Sequence, residues 1–297
     1  MATESQIQEQ AAPLGAEVRT ARPFLKWAGG KTALLPELLK RVPKDFNAYF
    51  EPFLGGGALF FALAPEKAFL SDANSDVINV FRAVRDKLPD LIANLAKHSH
   101  SKRYYYKLRN LDRGSDFWVL SDVERASRLI YLNKTCFNGL YRVNSRGEFN
   151  VPFGAYQNPK FLDRENLESC NRVLQNADLS VGSFEATAAN AKRGDFVYFD
   201  PPYAPLSETA NFTSYTKDGF ADSDQVTLAE LCRTLDKRGV KFMLSNSATD
   251  RMNELYKDFL IETVQSPRAI NSRADRRGKI AEIIVRNYDI EPDLDVD

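Results

Sequence analysis

Short apolar runs recur along this chain, and most neighbouring runs are separated by stretches in which apolar positions return every three or four residues. The runs predict strands near Ala48 to Phe53, Lys67 to Ser71, Asp178 to Val181, Phe196 to Phe199, Val240 to Ser245, Phe259 to Val264 and Ile280 to Asn287. Helical periodicity fills Ala58 to Ala64, Ser75 to Lys87, Phe184 to Ala191 and Ser223 to Lys237. Alternation of this kind predicts an α/β fold with a mostly parallel seven-stranded sheet flanked by helices on both faces. No helical pattern separates the last two strands, so an antiparallel edge pair is expected there.

The rhythm breaks between about Leu88 and Asn176. Val123 to Cys136 reads as a helix and is followed by a Gly-, Asn- and Arg-rich stretch from Phe137 to Tyr156. The expected organisation is a sheet domain over 22–90 and 177–288, an insertion over 91–176, and flexible tails at 1–21 and 289–297.

Charge supports that division. The chain holds 40 Lys and Arg against 40 Asp and Glu, but eight of the acids lie in the tails: Glu4, Glu9, Glu17, Asp289, Glu291, Asp293, Asp295 and Asp297. Residues 97–146 alone carry eleven basic residues against Asp112, Asp116, Asp122 and Glu124. Among those bases stand Tyr104, Tyr105, Tyr106, Tyr131, Phe137 and Tyr141, a mixture suited to neutralising phosphates and stacking on bases, or equally to a solvated helical face over an aromatic core. Cys136, Cys170 and Cys232 are scattered, and His98 and His100 are the only histidines, so neither a disulfide framework nor a metal site is expected. No apolar run approaches the roughly 18 residues of a membrane span. An N-terminus carrying Glu4 and Glu9 lacks a signal segment, which makes a cytoplasmic location the expectation.

The richest chemistry lies at Asp200-Pro201-Pro202-Tyr203, which closes the run Phe196 to Phe199. Neither proline can donate to a sheet ladder, so the strand ends in a rigid turn. The turn groups the Asp200 carboxylate, the Pro201 carbonyl and the flat ring of Tyr203. Two adjacent acceptors match a planar NH2 group, and an aromatic face matches a planar base. The exocyclic amine of adenine or cytosine is a poor nucleophile because its lone pair is delocalised into the ring. Acceptors on its hydrogens favour a tetrahedral nitrogen and strengthen as positive charge develops. The turn therefore reads as an amine-methylating site that needs no metal.

A cofactor loop is legible after the first strand. Glu51-Pro52-Phe53-Leu54-Gly55-Gly56-Gly57 precedes a helical run, and glycines there permit a tight turn and close approach to backbone amides. Asp72 ends the second strand, where a carboxylate is placed to accept from both hydroxyls of a ribose. A dinucleotide fingerprint starting at Gly55 requires glycine where Phe60 stands, which argues against NAD. Ala28-Gly29-Gly30-Lys31-Thr32 imitates the end of a phosphate-binding loop, but Leu25 occupies the position of its first glycine, and Arg22-Pro23-Phe24 is a poor strand.

In their order along the chain, these motifs resemble the Dam family of DNA adenine-N6 methyltransferases, the D12 class of GATC type. Phe24 to Lys31 resembles its N-terminal cofactor motif, Glu51 to Gly57 its glycine loop, and Asp72 to Asp76 its ribose motif. Asn138 to Arg142 and Arg146 to Gly154 resemble its recognition hairpin; Asp200 to Leu206 and Thr209 to Phe212 resemble its catalytic turn and following loop. The resemblance implies a class I S-adenosylmethionine-dependent methyltransferase fold with a helical DNA-recognition insertion. It also implies a monomer, associated with the nucleoid, that methylates a flipped adenine in double-stranded GATC and releases S-adenosylhomocysteine. Asp200, Pro201, Pro202 and Tyr203 would be catalytic, and Trp27, Lys31, Phe53, Gly55, Gly57, Asp72, Phe184 and Asp200 would line the cofactor site.

Toward DNA, the resemblance gives Lys26 and Tyr156 the outer G:C pair, Leu140 and Pro152 the thymine methyl, and Arg142 the guanine opposite the last cytosine. Asn138 would meet the orphaned thymine, and Phe137 would wedge into the gap. The chain departs from the family at Phe137, commonly tyrosine, and at Ala155, often an arginine that helps bind DNA. The competing readings are methylation of another amine, on RNA adenine, DNA cytosine-N4 or a protein glutamine, and a DNA-binding regulator with a decayed site. By the resemblance, aspartate rather than asparagine or serine before the proline pair implies DNA adenine.

Overall fold

Strands form where apolar residues run without interruption, because parallel strands covered on both faces need apolar side chains on both. The computed structural model describes residues 20–27, 29–203, 220–267 and 279–290. Of the expected tails at 1–21 and 289–297, residues 1–19 and 291–297 lie outside the described residues, as do Ala28 and the family-like loop holding Leu206 and Thr209 to Phe212; Ala21, expected in the N-terminal tail, is buried in the core. The strands are β1 (Tyr49–Glu51), β2 (Ala68–Asp72), β3 (Ala177–Val181), β4 (Phe196–Phe199), β5 (Lys241–Ser247), β6 (Leu260–Pro267) and β7 (Lys279–Arg286). Their spatial order is β3-β2-β1-β4-β5-β7-β6. The first five pair in parallel, while β7 lies antiparallel to both β5 and β6. The expected antiparallel pair thus forms, with β7 wedged inward and β6 outermost.

Ten helices surround the sheet among the described residues: α1 (Leu35–Leu39), α2 (Ala58–Leu63), α3 (Ser75–Asp86), α4 (Leu88–Leu95), α5 (Lys102–Arg109), α6 (Asp122–Thr135), α7 (Arg164–Leu174), α8 (Phe184–Ala188), α9 (Asp222–Lys237) and α10 (Asp250–Leu255). Strand alternation divides the core between them. Tyr49, Leu70, Phe196, Tyr198, Met243 and Ile284 pack with α1 to α7. Phe50, Val197, Phe199, Phe242, Leu244, Ile283 and Val285 pack with α8 to α10. No helix among the described residues is long and apolar enough to cross a membrane.

The helical stretch α4–α7 is continuous with the first core, and this decides between the two readings of its aromatics. Tyr105, Tyr131 and Tyr141 are buried, so they hold the stretch together instead of offering faces to a ligand. Phe137 alone among the six aromatics noted there is a large exposed hydrophobic, at 47% exposure. His98 is also structural: Tyr104 Oη lies 2.7 Å from Nδ1 and Ser127 Oγ 2.9 Å from Nε2, and burial pushes its pKa down to about 4. Ser121 and Glu124 form a capping box that starts α6.

Beyond α6 the chain turns back on itself through antiparallel bridges joining Cys136 to Phe153 and Val143 to Phe149. A charged network holds this hairpin. Asp112 accepts the Phe149 amide at 2.7 Å and pairs with Arg113 at 2.7 Å and with Arg128 at 2.8 Å. Arg113 donates to the Phe149 carbonyl at 2.9 Å.

Candidate active site

Four of the five parallel strands change from apolar to polar at their carboxyl ends: Glu51 on β1, Ser71 and Asp72 on β2, Asp200 after β4, and Ser245 to Ser247 on β5. Ligands of open α/β sheets bind at this edge. A cavity of about 1130 Å³ opens there, and it brings together Trp27, Lys31, Phe53, Gly55, Gly57, Asp72, Phe184 and the whole turn from Asp200 to Tyr203. All the residues expected at the cofactor and catalytic sites therefore line one space. Of the residues expected on DNA, Lys26 and Asn138 reach its rim, whereas Phe137, Leu140, Arg142, Pro152 and Tyr156 lie outside its lining.

At one end, Asp72 is buttressed by backbone: Gly55 donates to Oδ2 at 2.9 Å and Asn74 to Oδ1 at 2.8 Å. Burial raises its pKa, and these two bonds oppose the rise. The glycine loop serves a purpose that spacing did not reveal. Gly55 has φ +46°, and a Cβ there would lie 2.7 Å from Trp27 Cδ1, so the missing side chain makes room for the indole. Trp27 stacks in turn on Tyr141, with centroids 4.9 Å apart. Phe53 and Phe184 stack at 5.3 Å, and Phe220, which sequence reasoning missed, meets Phe53 edge-on at 5.7 Å. These flat apolar faces and the fixed carboxylate suit an adenosine: aromatic walls for the base and acceptors for the sugar.

At the other end, Lys31 Nζ lies 2.7 Å from Asp200 Oδ1 and 4.4 Å from the centre of the Tyr203 ring, and it donates to the Gly29 carbonyl at 2.5 Å. Ser245 also donates to Asp200 Oδ1, at 3.0 Å. Burial raises the Asp200 pKa; Lys31 and Ser245, which favour the carboxylate, oppose the rise. The turn is fixed from below by Gln225, which donates to the Pro202 carbonyl at 3.1 Å and accepts from Asn246 at 3.1 Å.

Glu51 was legible only as part of the loop motif, and it proves to be a buried acid on the cavity wall. Tyr49 donates to it at 2.8 Å, yet burial pushes its pKa up to about 8. Composition carries no signal for a carboxyl this perturbed, which depends on what covers the strand end.

Behind the rim of the cavity, Asn133 bonds both the amide and the carbonyl of Lys26, at 2.8 and 2.7 Å, and the Gly139 carbonyl at 3.1 Å. It thereby ties the N-terminal segment to the turn that carries Phe137 and Asn138. A Cβ on Gly139, at φ +66°, would collide with Lys26 Cδ at 2.3 Å. Lys26 Nζ sits 4.8 Å from the centre of the Tyr156 ring. Arg142 is exposed, and its Nε donates to Asn150 Oδ1 at 2.7 Å.

Similarity to characterised proteins agrees with this geometry. The chain is 50% identical over 271 residues to the type II methyltransferase M1.LlaDCHI of Lactococcus lactis subsp. cremoris, covering 90% of this chain and 95% of that one. It is 42% identical to the type II methyltransferase M.MjaIII of Methanocaldococcus jannaschii, covering 90% and 99%. To the DNA adenine methylase of Vibrio cholerae it is 35% identical, covering 90% and 96%. The family model of D12 class N6 adenine-specific DNA methyltransferases matches residues 27–270. By these matches the chain belongs to the D12 class of N6 adenine-specific DNA methyltransferases, enzymes whose methyl donor is S-adenosylmethionine.

Proposed function

We propose that this chain methylates adenine N6 within GATC in double-stranded DNA, on a base swung out of the helix. The observation that carries the reading is the Lys31–Asp200 pair beside the Tyr203 ring, in the same cavity as Asp72 and the glycine loop. In this reading Asp72 takes the ribose hydroxyls, Phe53, Phe184 and Phe220 flank the cofactor's adenine, and Trp27, Gly55 and Gly57 shape its path toward Asp200. When bound, S-adenosylmethionine supplies a methyl carbon made electrophilic by the neighbouring sulfonium.

The protein's own work is then orientation and charge. Lys31 and Ser245 both engage Asp200 Oδ1, so we assign Oδ2 to one amine hydrogen and the Pro201 carbonyl to the other. Held between two acceptors, N6 pyramidalises, and the developing positive charge strengthens both bonds in the transition state. Tyr203 stacks on the extruded base, which offsets part of the few kcal/mol that flipping costs. Pro202 keeps the turn rigid.

For sequence reading, we assign Lys26 and Tyr156 to the outer G:C pair, Leu140 and Pro152 to the thymine methyl, Asn138 to the orphaned thymine, and Phe137 to the gap. Exposure of Phe137 favours the wedge. Asn150 holds Arg142 through Nε at 2.7 Å and, by a long bond of 3.5 Å, through Nη2; we assign Nη1 to guanine, with Nη2 joining it when that long bond gives way. The assay is tritium transfer to a GATC duplex, a scrambled duplex and the same sequence as RNA. Label only on the GATC duplex, and its near-total loss in a folded Asp200→Ala variant, are the expected results; equal labelling of the scrambled duplex would refute the specificity, and retained turnover in Asp200→Ala the mechanism.

A further inference from the structure

Strand β7 reads Lys-Ile-Ala-Glu-Ile-Ile-Val-Arg and holds a single carboxylate, Glu282. An acid within a strand that has neighbours on both sides is costly unless a partner satisfies it. The antiparallel course of β7 supplies that partner. Glu282 is in register with Ser247 at the carboxyl end of β5, so it lies at the edge of the sheet from which the Asp200–Tyr203 turn departs. There Tyr203 donates its hydroxyl to Glu282 Oε2 at 2.5 Å.

The Tyr203 ring is consequently held at two places, its hydroxyl by Glu282 and its face by Lys31 Nζ at 4.4 Å, while Lys31 also holds Asp200. A hydrogen bond this short is strongly directional and restrains the orientation of the O–H bond. The hydroxyl oxygen lies on the axis about which the ring turns, so its position alone fixes only the first torsion; the plane is set because a phenol O–H prefers to lie in the plane of its ring, so a fixed O–H direction favours one plane, and Lys31 Nζ rests on the ring face at 4.4 Å. Burial, with Asp200 and Glu282 nearby, raises the hydroxyl pKa well above its ordinary value, which keeps it a donor.

We propose that Glu282 is a positioning residue for methyl transfer: by accepting the Tyr203 hydroxyl it fixes the plane on which the flipped adenine stacks, and so the approach of N6 to Asp200 and Pro201. The proposal rests on the reading of Tyr203 as the stacking surface. Errors of about 1 Å in such alignment slow reactions by up to about a hundredfold, so loss of one orienting bond has a measurable rate effect.

The test is single-turnover methylation of a GATC duplex by full-length Glu282→Ala, Glu282→Gln, Tyr203→Phe, Tyr203→Ala and the Glu282→Ala/Tyr203→Phe double variant, with 2-aminopurine replacing the target adenine in a parallel fluorescence titration. Glu282→Ala and Tyr203→Phe are each expected to slow transfer about tenfold, and the double variant no further, because all three remove the same bond. Glu282→Gln, which keeps an acceptor, recovers most of the rate, and KM for DNA stays within about twofold throughout. The 2-aminopurine signal in Glu282→Ala is expected to exceed that of wild type, since a loosened ring quenches the flipped base less. Wild-type rates in Tyr203→Phe and Glu282→Ala, or multiplicative effects in the double variant, overturn the proposal. If Glu282→Ala does not fold, Tyr203→Phe decides alone, because it removes the bond without touching the sheet. A wild-type rate in Tyr203→Ala defeats the stacking reading itself, whereas a slow Tyr203→Ala beside a fast Glu282→Ala defeats only the role of Glu282.

Discussion

Replacing Glu51 with Gln tests how the floor of the cavity is built. The Glu51 carboxyl receives the Tyr49 hydroxyl and the Phe60 amide, but burial outweighs both and lifts its pKa from 4.5 to about 8. Between those values the folded chain holds a proton that the unfolded chain has released. The group's contribution to stability is therefore complete below pH 4.5 and is lost as pH rises through about 8. At about 1.36 kcal/mol for each pH unit between the two values, the loss amounts to about 3 kcal/mol at pH 7 and about 5 kcal/mol above pH 8.

Glu51→Gln keeps an acceptor for Tyr49 and stays neutral at every pH. Urea unfolding of both proteins from pH 5 to 8.5 gives a difference in which other titrations cancel. His98 is the main one to remove: its pKa, lowered to about 4, gives a contribution of opposite sign that is lost as pH falls below 6.5. The variant should gain on wild type by about 1.4 kcal/mol per pH unit across pH 5 to 8. A difference that does not change with pH would refute the protonated Glu51.

Three further outcomes follow from the same geometry. Asp112→Ala leaves the buried Arg128 guanidinium without its carboxylate, while Arg113 keeps Glu148 at 4.0 Å, and should cost about 3 to 5 kcal/mol in urea unfolding; a loss under about 1 kcal/mol would show that the network does not hold the hairpin. Arg142→Ala should relax discrimination at the terminal base pair by about 1 to 3 kcal/mol, read from methylation of duplexes varied at that pair. Glu51 and Asp72 are bonded by hydroxyl and amide groups, so a cationic ligand favours their ionised forms. Calorimetry should accordingly find S-adenosylmethionine binding more tightly as pH rises from 7 to 8.5, with the dependence reduced in Glu51→Gln; a flat profile in wild type would count against a negative floor.

What could be read from the sequence divides along a physical line. Strands whose faces are both covered announce themselves as apolar runs, so β4 matched its expected limits, and β2 and β3 matched theirs to within a residue. The rigid turn at Asp200 to Tyr203 needs only its two prolines. Burial, by contrast, is set by what the crossovers bring overhead, and no local pattern records it. Tyr105, Tyr131 and Tyr141 were equally readable as stacking surfaces or as core because tyrosine is amphipathic, and packing in three dimensions turned them inward. Lys31 belonged to a motif that imitated a phosphate loop, and its contact with Asp200 joins residues 169 positions apart, which no local pattern records. The position of β7 between β5 and β6 was equally hidden, since either order satisfies the same alternation of apolar residues. That unreadable choice is what carries Glu282 to the edge of Tyr203: with β7 outermost, the same carboxylate would stand a strand further from the turn. The catalytic turn is therefore local in sequence, but its alignment is a property of strand order.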